Sequence, residues 1–218
     1  MYANRSGRPA AEHLTVSTNR LEAFSDGVLA VAITLLVLNI SVPAPSKHHG
    51  LAYELAQNWP EYAAYMTSFI TIGIIWMNHH AMIARLREAD HAILFLNLLL
   101  LLSVGVLPFA TSLMATYLRR GHADAHLAAA VYSGAFLVMS LIFSALNRHI
   151  LLVKHDYLNE HISEDRRRAI FRRAITGIVP YVLATALAVV SAYITLAICA
   201  AVAAYYATPV ASGSTSGT

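Results

Sequence analysis

From Leu21 to Val42 the chain is almost continuously apolar, broken near its start by Glu22, Ser25 and Asp26. A run of that length can cross a bilayer as a helix, which takes about 20 mostly apolar residues. Pro43, Pro45 and Gly50 interrupt it and mark an external loop. A second apolar stretch covers 62–84, with Trp59 and Tyr62 at the depth where aromatic side chains gather at a membrane interface. Arg85, Arg87, Glu88 and Asp90 form a polar turn, and a third stretch follows at 91–117, with Pro108 near its far end. A fourth covers 127–146 and leads into a charged connector, Asn147–Arg173. The apolar residues 174–208 would make a single helix roughly 52 Å long, far beyond a ~30 Å hydrocarbon core. They are therefore expected to divide at a tight turn near Ser191–Tyr193, into spans at 170–190 and 194–208. The pattern predicts an all-α integral membrane protein with six transmembrane helices per chain.

Lys and Arg counts orient these spans, because short cytoplasmic segments carry the excess. The N-terminal segment through Arg20 has three, the Arg85–Arg87 turn two and the Arg148–Arg173 connector seven, against Lys47, Arg119 and Arg120 on the other side. Both termini are thus expected in the cytoplasm. Residues 1–19 are polar, contain Arg5 and Arg8, and lack the apolar run of a secretory leader; they predict a disordered cytoplasmic arm. The Ser/Gly/Thr-rich residues 209–218 predict a flexible tail.

Composition agrees. Hydrophobic residues make up 57% and charged residues 12%, against about 45–50% and about 25% in soluble domains. The single cysteine, Cys199, rules out a disulfide within the chain and lies in an apolar run, where a buried, inert thiol is expected.

The informative positions are polar residues inside the spans. A carboxylate there costs at least ~2.5 kcal/mol unless paired or wetted, which makes Asp26 a functional candidate by default. The second span ends with Trp76, Asn78, His79 and His80, and the third carries Asn97 within its first two turns. By helical rise, Asp26, His79 and Asn97 lie at a common depth of roughly 7–9 Å. Three polar groups at one depth on consecutive helices predict a shared hydrogen-bonded cluster, with Arg20 below it and able to reach Asp26. Three readings fit it: a clasp holding the first three helices, a proton relay, or a direct cation site at Asp26.

A metal at His79-His80 fits poorly, since consecutive helical residues point about 100° apart. The remaining histidines, among them His48, His49, His149, His155 and His161, lack the clustered spacing of a membrane metalloenzyme. No nucleophile–base pair accompanies them, so no enzymatic activity, cofactor or metal is expected. The clusters Arg166-Arg167-Arg168 and Arg172-Arg173 serve as topology determinants and can also meet anionic head groups. Phe24-Ser25-Asp26 occurs once, and no pair of interrupted spans marks an inverted-repeat transporter.

Several stretches resemble one family. These are R-L-E-A-F-S-D-G at Arg20–Gly27, A-I-T-L-L-V-L at Ala32–Leu38, W-M-N-H-H at Trp76–His80, Asn97, and L-P-F-A-T at Leu107–Thr111. Together they are similar to the transmembrane protein 175 family, potassium-permeable channels of lysosomes and bacteria, most clearly over the first three spans. The chain also lacks the T-V-G-Y-G filter of ordinary potassium channels, as members of that family do.

The resemblance implies a six-helix channel domain over 20–208, assembling as a homotetramer around a central pore lined by the first helix. The pore would be closed by aliphatic rings at Val31, Leu35 and Leu38, which fall along one stripe of that helix, with the Thr34 hydroxyl near the narrowest part. The network at Arg20, Phe24, Ser25, Asp26, Trp76, His79, His80 and Asn97 would brace the helix from behind. The expected function is a potassium-preferring cation channel of the inner (plasma) membrane, with potassium ions and membrane lipids as partners and no nucleic acid. The alternative is a proton-coupled ion transporter in which Asp26 and His79 titrate.

Overall fold

The structure is a computed structural model that describes residues 18–45, 48–119, 121–159 and 162–208. The expected arm lies outside the described residues up to position 17, as do Lys47, Arg120, His161 and the expected tail at 209–218. Among the described residues the regular elements are helices, beside one isolated antiparallel bridge between Leu86 and Leu158. The α-helices are α1 (Thr18–Val37), α2 (Leu51–Gln57), α3 (Trp59–Ile83), α4 (His91–Tyr117), α5 (His122–Arg148), α6 (Glu164–Thr176), α7 (Ile178–Leu187) and α8 (Ala192–Ala207), with a π-helical turn at His149–Val153 and a 3-10 turn at His155–Tyr157 following α5.

Local chemistry sets many of the boundaries. Pro60 stands in the first turn of α3, where its missing N–H leaves no bond unmade. Asp90 caps α4, its Oδ1 accepting the Ile93 N–H at 2.9 Å. Gly121 adopts φ 69° between α4 and α5, a conformation that favours glycine. Ser191 caps α8, accepting the Ile194 N–H.

Some bounds differ from those expected. The first helix ends at Val37 instead of continuing to Val42. Leu38 therefore lies in a turn, where the Asn39 side chain donates to the Pro108 carbonyl at 3.0 Å and ties this end of α1 to α4. The loop beyond contains the short helix α2. The chain between α7 and α8 turns over residues 188–191, so Tyr193 belongs to α8. Polar α6 runs into apolar α7 at Gly177, whose φ −66° and ψ −18° stay helical.

Among the described residues three stretches are long and apolar enough to cross a membrane: His91–Tyr117, Ala123–Val153 and Glu164–Leu187. Ala192–Ala207 is apolar but shorter. In α1 and α3, Arg20, Glu22, Asp26 and the Asn78–His80 cluster dilute the apolar character.

α4 and α5 form the broadest helix pair; α1 packs on α3 and α4, and α8 packs on α3, α5 and α7. Leu29, Leu36, Leu100, Val104, Leu107, Tyr132 and Phe136 are fully buried at these contacts. Tyr132 meets Phe136 edge-on at 4.8 Å, and Phe136 stacks on Tyr181 at 5.6 Å. Polar side chains between α3, α4 and α5 pair with one another, as burial favours: Ser68 bonds Thr111 at 2.8 Å and the Tyr132 hydroxyl at 3.1 Å.

At the other end the connector after α5 folds back onto the α3–α4 turn. The Arg87 N–H donates to the Tyr157 carbonyl at 2.8 Å, and the Asn159 N–H to the Arg85 carbonyl at 2.8 Å. Asp90 Oδ2 faces His149 at 3.4 Å and Lys154 at 3.5 Å. Burial pushes the Asp90 carboxyl upward, but the Ile93 N–H bond and the facing His149 and Lys154 outweigh it and hold it below the ordinary 3.8.

Candidate functional site

α1 has two faces of opposite character. Leu21, Ser25, Leu29, Ala32 and Leu36 recur every three or four residues and are buried. This face lies against α3 and α4. It carries the buried polar chain of the site.

Ser25 Oγ donates back to the Leu21 carbonyl at 2.8 Å, which commits its proton. Its lone pairs then accept from Asn97 Nδ2 at 3.0 Å. That orients the Asn97 amide, so Oδ1 faces His79 and accepts from Nε2–H at 2.7 Å. The bonds thus run in one direction, from His79 on α3 through Asn97 on α4 to Ser25 on α1. All three residues have 0% exposure. His79 Nδ1 is buried without a hydrogen-bond partner among the described residues.

Asp26 is not in this chain, contrary to the cluster expected from matched depth. One residue beyond Ser25, it is turned about 100° away. It instead accepts from Trp76 Nε1 at 2.9 Å at a half-exposed position. One turn earlier, Glu22 Oε1 meets His80 Nδ1 at 2.7 Å. Trp76 and His80 stack at 6.3 Å. Two i, i+4 pairs on antiparallel helices therefore form a ladder, Asp26–Trp76 and Glu22–His80. Glu22 was not among the residues singled out from the sequence. The signal that could have found it is its four-residue spacing from Asp26, matched by Trp76 and His80 on the descending helix. Arg20 is exposed and makes no bond to Asp26.

The opposite face of α1 is apolar and open. Phe24 is 54% exposed, Val31 56%, Leu35 43% and Leu38, just past the helix, 75%. Phe24, Gly27, Val31 and Leu35 line a shallow groove with Gly105 of α4. Thr34 is exposed as well, its hydroxyl donating to the Val31 carbonyl at 2.8 Å. Among the described residues no three His, Cys, Asp or Glu side chains converge as a metal would require. The arrangement can hold α1 firmly from behind while presenting an uncharged, aliphatic surface in front.

Comparison with known proteins places this arrangement in a family. A family model described as the endosomal/lysosomal potassium channel TMEM175 matches residues 20–108, which contain both polar arrays and the open face of α1. A potassium channel of Streptomyces collinus is 44% identical over 189 residues, covering 87% of this chain and 91% of that protein. The crystal structure of a lysosomal potassium-selective channel TMEM175 homolog from Chamaesiphon minutus is similar with a TM-score of 0.76 and 38% identity, covering 87% of this chain and 96% of that one. The endosomal/lysosomal proton channel TMEM175 of Gallus gallus is 40% identical over 115 residues, 49% of this chain and 23% of that protein.

Proposed function

Because the chain belongs to the endosomal/lysosomal potassium channel TMEM175 family, we propose that it is a potassium-preferring cation channel whose pore is walled by α1 from each of four subunits. It is a multi-pass membrane protein of a channel family. In this reading six spans cross the inner membrane, and both termini lie on the cytoplasmic side with the arginine-rich α6. The domain at 20–208 works without cofactor, metal or enzymatic chemistry, with potassium ions, membrane lipids and three further copies of the chain as partners.

The observation that carries the reading is the division of α1 into a polar-anchored back and an open aliphatic front. Four such fronts around an axis make rings at Val31, Leu35 and Leu38. An aliphatic ring stops ions by excluding water, and a small rotation or splay of the helix readmits it. Thr34 then supplies an oxygen at the edge of the dry zone. Selectivity should be modest, because no cage of carbonyls replaces the hydration shell of the ion. The Ser25–Asn97–His79 chain and the Asp26–Trp76 ladder set the position of α1 without touching the ion.

Liposomes containing only this protein test the reading. Potassium efflux that exceeds sodium efflux under matched gradients is expected, with discrete unitary currents in bilayer recordings; flux without unitary currents would instead indicate a carrier.

A proton-moving alternative has its own support. The proton channel of Gallus gallus is similar to about half of this chain, and His79 has a buried ring nitrogen without a partner among the described residues. In that reading Asp26 and His79 exchange protons during transport. Acidification of the same liposomes, followed with an enclosed pH dye and abolished by His79→Gln, would favour it.

A further inference from the structure

We propose that the apolar groove between α7 and α8, with Arg172 and Arg173 at its mouth, holds an anionic phospholipid. Thr176, Pro180, Ala201, Val202, Tyr205 and Tyr206 line the groove. Arg172 and Arg173 precede Thr176 by four and three residues, so they lie one turn, about 5.4 Å, above it on the same side of the helix. The near-helical Gly177 carries that phase from α6 into α7. The Tyr206 hydroxyl stands at the head of the groove, 3.0 Å from where a Cβ at Gly177 would sit.

Charge selects the occupant. α6 has five arginines against Glu164 and Asp165. Arg168 is paired with Glu164, and Arg167 donates to the Leu151 carbonyl at 3.3 Å. Arg166, Arg172 and Arg173 are exposed, and their guanidinium groups bond no other described residue. Asp165 shares their face, about two turns from Arg172 and three from Thr176, and leaves a positive excess. Guanidinium forks match the two free oxygens of a phosphodiester, and the groove directly below accepts an acyl chain. A phosphatidylcholine carries its own cation against these arginines, whereas phosphatidylglycerol does not. The inference rests on α6 lying at the membrane surface, as in the proposed channel, but not on ion conduction.

The test is native mass spectrometry of the detergent-solubilised full chain, titrated with dioleoylphosphatidylglycerol or dioleoylphosphatidylcholine. Phosphatidylglycerol should bind more tightly. The Arg172→Gln/Arg173→Gln double variant should lose roughly thirtyfold in affinity, the order expected when two basic side chains leave an anionic surface. Arg172→Lys/Arg173→Lys should retain most of the binding. Ala201→Phe, which fills the groove, should also weaken phosphatidylglycerol binding and carries the test alone if the arginine variant fails to fold. Equal binding of the two lipids, or an unchanged affinity in both the glutamine and groove variants, overturns the proposal. So does full competition by glycerophosphoglycerol, which would reduce the site to a head-group anion site. Potassium flux measured on the same preparations separates failure of this site from failure of the channel reading.

Discussion

Asn97 donates through Nδ2 to Ser25 Oγ at 3.0 Å, across 72 positions of sequence, and this bond joins the buried face of α1 to α4. Because the Ser25 proton is spent on the Leu21 carbonyl, the amide has one orientation that satisfies both neighbours. His79 is thereby held as a donor through Nε2.

Asn97→Ala should therefore strand the His79 Nε2–H at a fully buried site. Leaving such a group unsatisfied costs about 1–3 kcal/mol. Lower thermal stability and a smaller yield of assembled protein in detergent are expected. A variant as stable as wild type would mean that another acceptor reaches His79.

Asp26→Asn should behave differently. It keeps an oxygen for Trp76 Nε1 and touches none of the Ser25–Asn97–His79 bonds. Stability within about 1 kcal/mol of wild type is expected, the net worth of one ordinary hydrogen bond. Normal assembly with conduction abolished would assign Asp26 to the ion or proton path.

Leu35→Asn bears on the proposed aliphatic gate. A dry constriction stays empty of water only while its walls are apolar, so potassium flux should rise and the preference over sodium should fall. Thr34→Val should lower conductance or selectivity without leaving the pore open. A well-assembled Leu35→Asn protein with unchanged flux and selectivity would falsify the placement of this face at the pore.

Leu38→Cys in a Cys199→Ala background tests the four-fold arrangement. Leu38 is 75% exposed within one chain, and across a central axis its copies approach one another. Oxidation should produce cross-linked dimers, whereas a control cysteine at Val189, also exposed, should not. Persistent absence of the Leu38 dimers would turn this residue toward lipid.

Asp90→Asn should loosen the junction of the α3–α4 turn with the connector. A carboxyl held below its ordinary 3.8 in the folded chain stabilises folding fully above that value and progressively less as the pH falls through its folded value. The variant keeps an oxygen for the Ile93 N–H but loses the charge facing His149 and Lys154, so it should be less stable than wild type at neutral pH by up to about 1 kcal/mol, the range of partly exposed ion pairs. The gap should narrow in acid, measured as unfolding temperature across a pH series.

The helical class and the placement of the long helices were legible in the chain because apolar run length and charged turns act locally. α4 shows this most clearly: it is bounded by the acidic cap Asp90 and by the polar residues after Tyr117. Membrane character was equally legible, since it follows from composition. Less of the polar site could be read in this way. Helical rise puts Asp26, His79 and Asn97 at one depth, but depth is only the axial coordinate. The azimuth of α1 decides which of the neighbours Ser25 and Asp26 turns inward, and that is set by the packing of Leu29, Ala32 and Leu36 against α3 and α4. The Glu22–His80 rung depends on the register of two antiparallel helices and was missed for the same reason. The end of α1 at Val37 is also tertiary in origin, because Asn39 finds its partner at Pro108, 69 residues away. Sequence by itself determined that the long apolar segments are helical and how apolar they are. Only the tertiary structure decided which polar groups meet, because a hydrogen bond demands an orientation that neither periodicity nor depth contains.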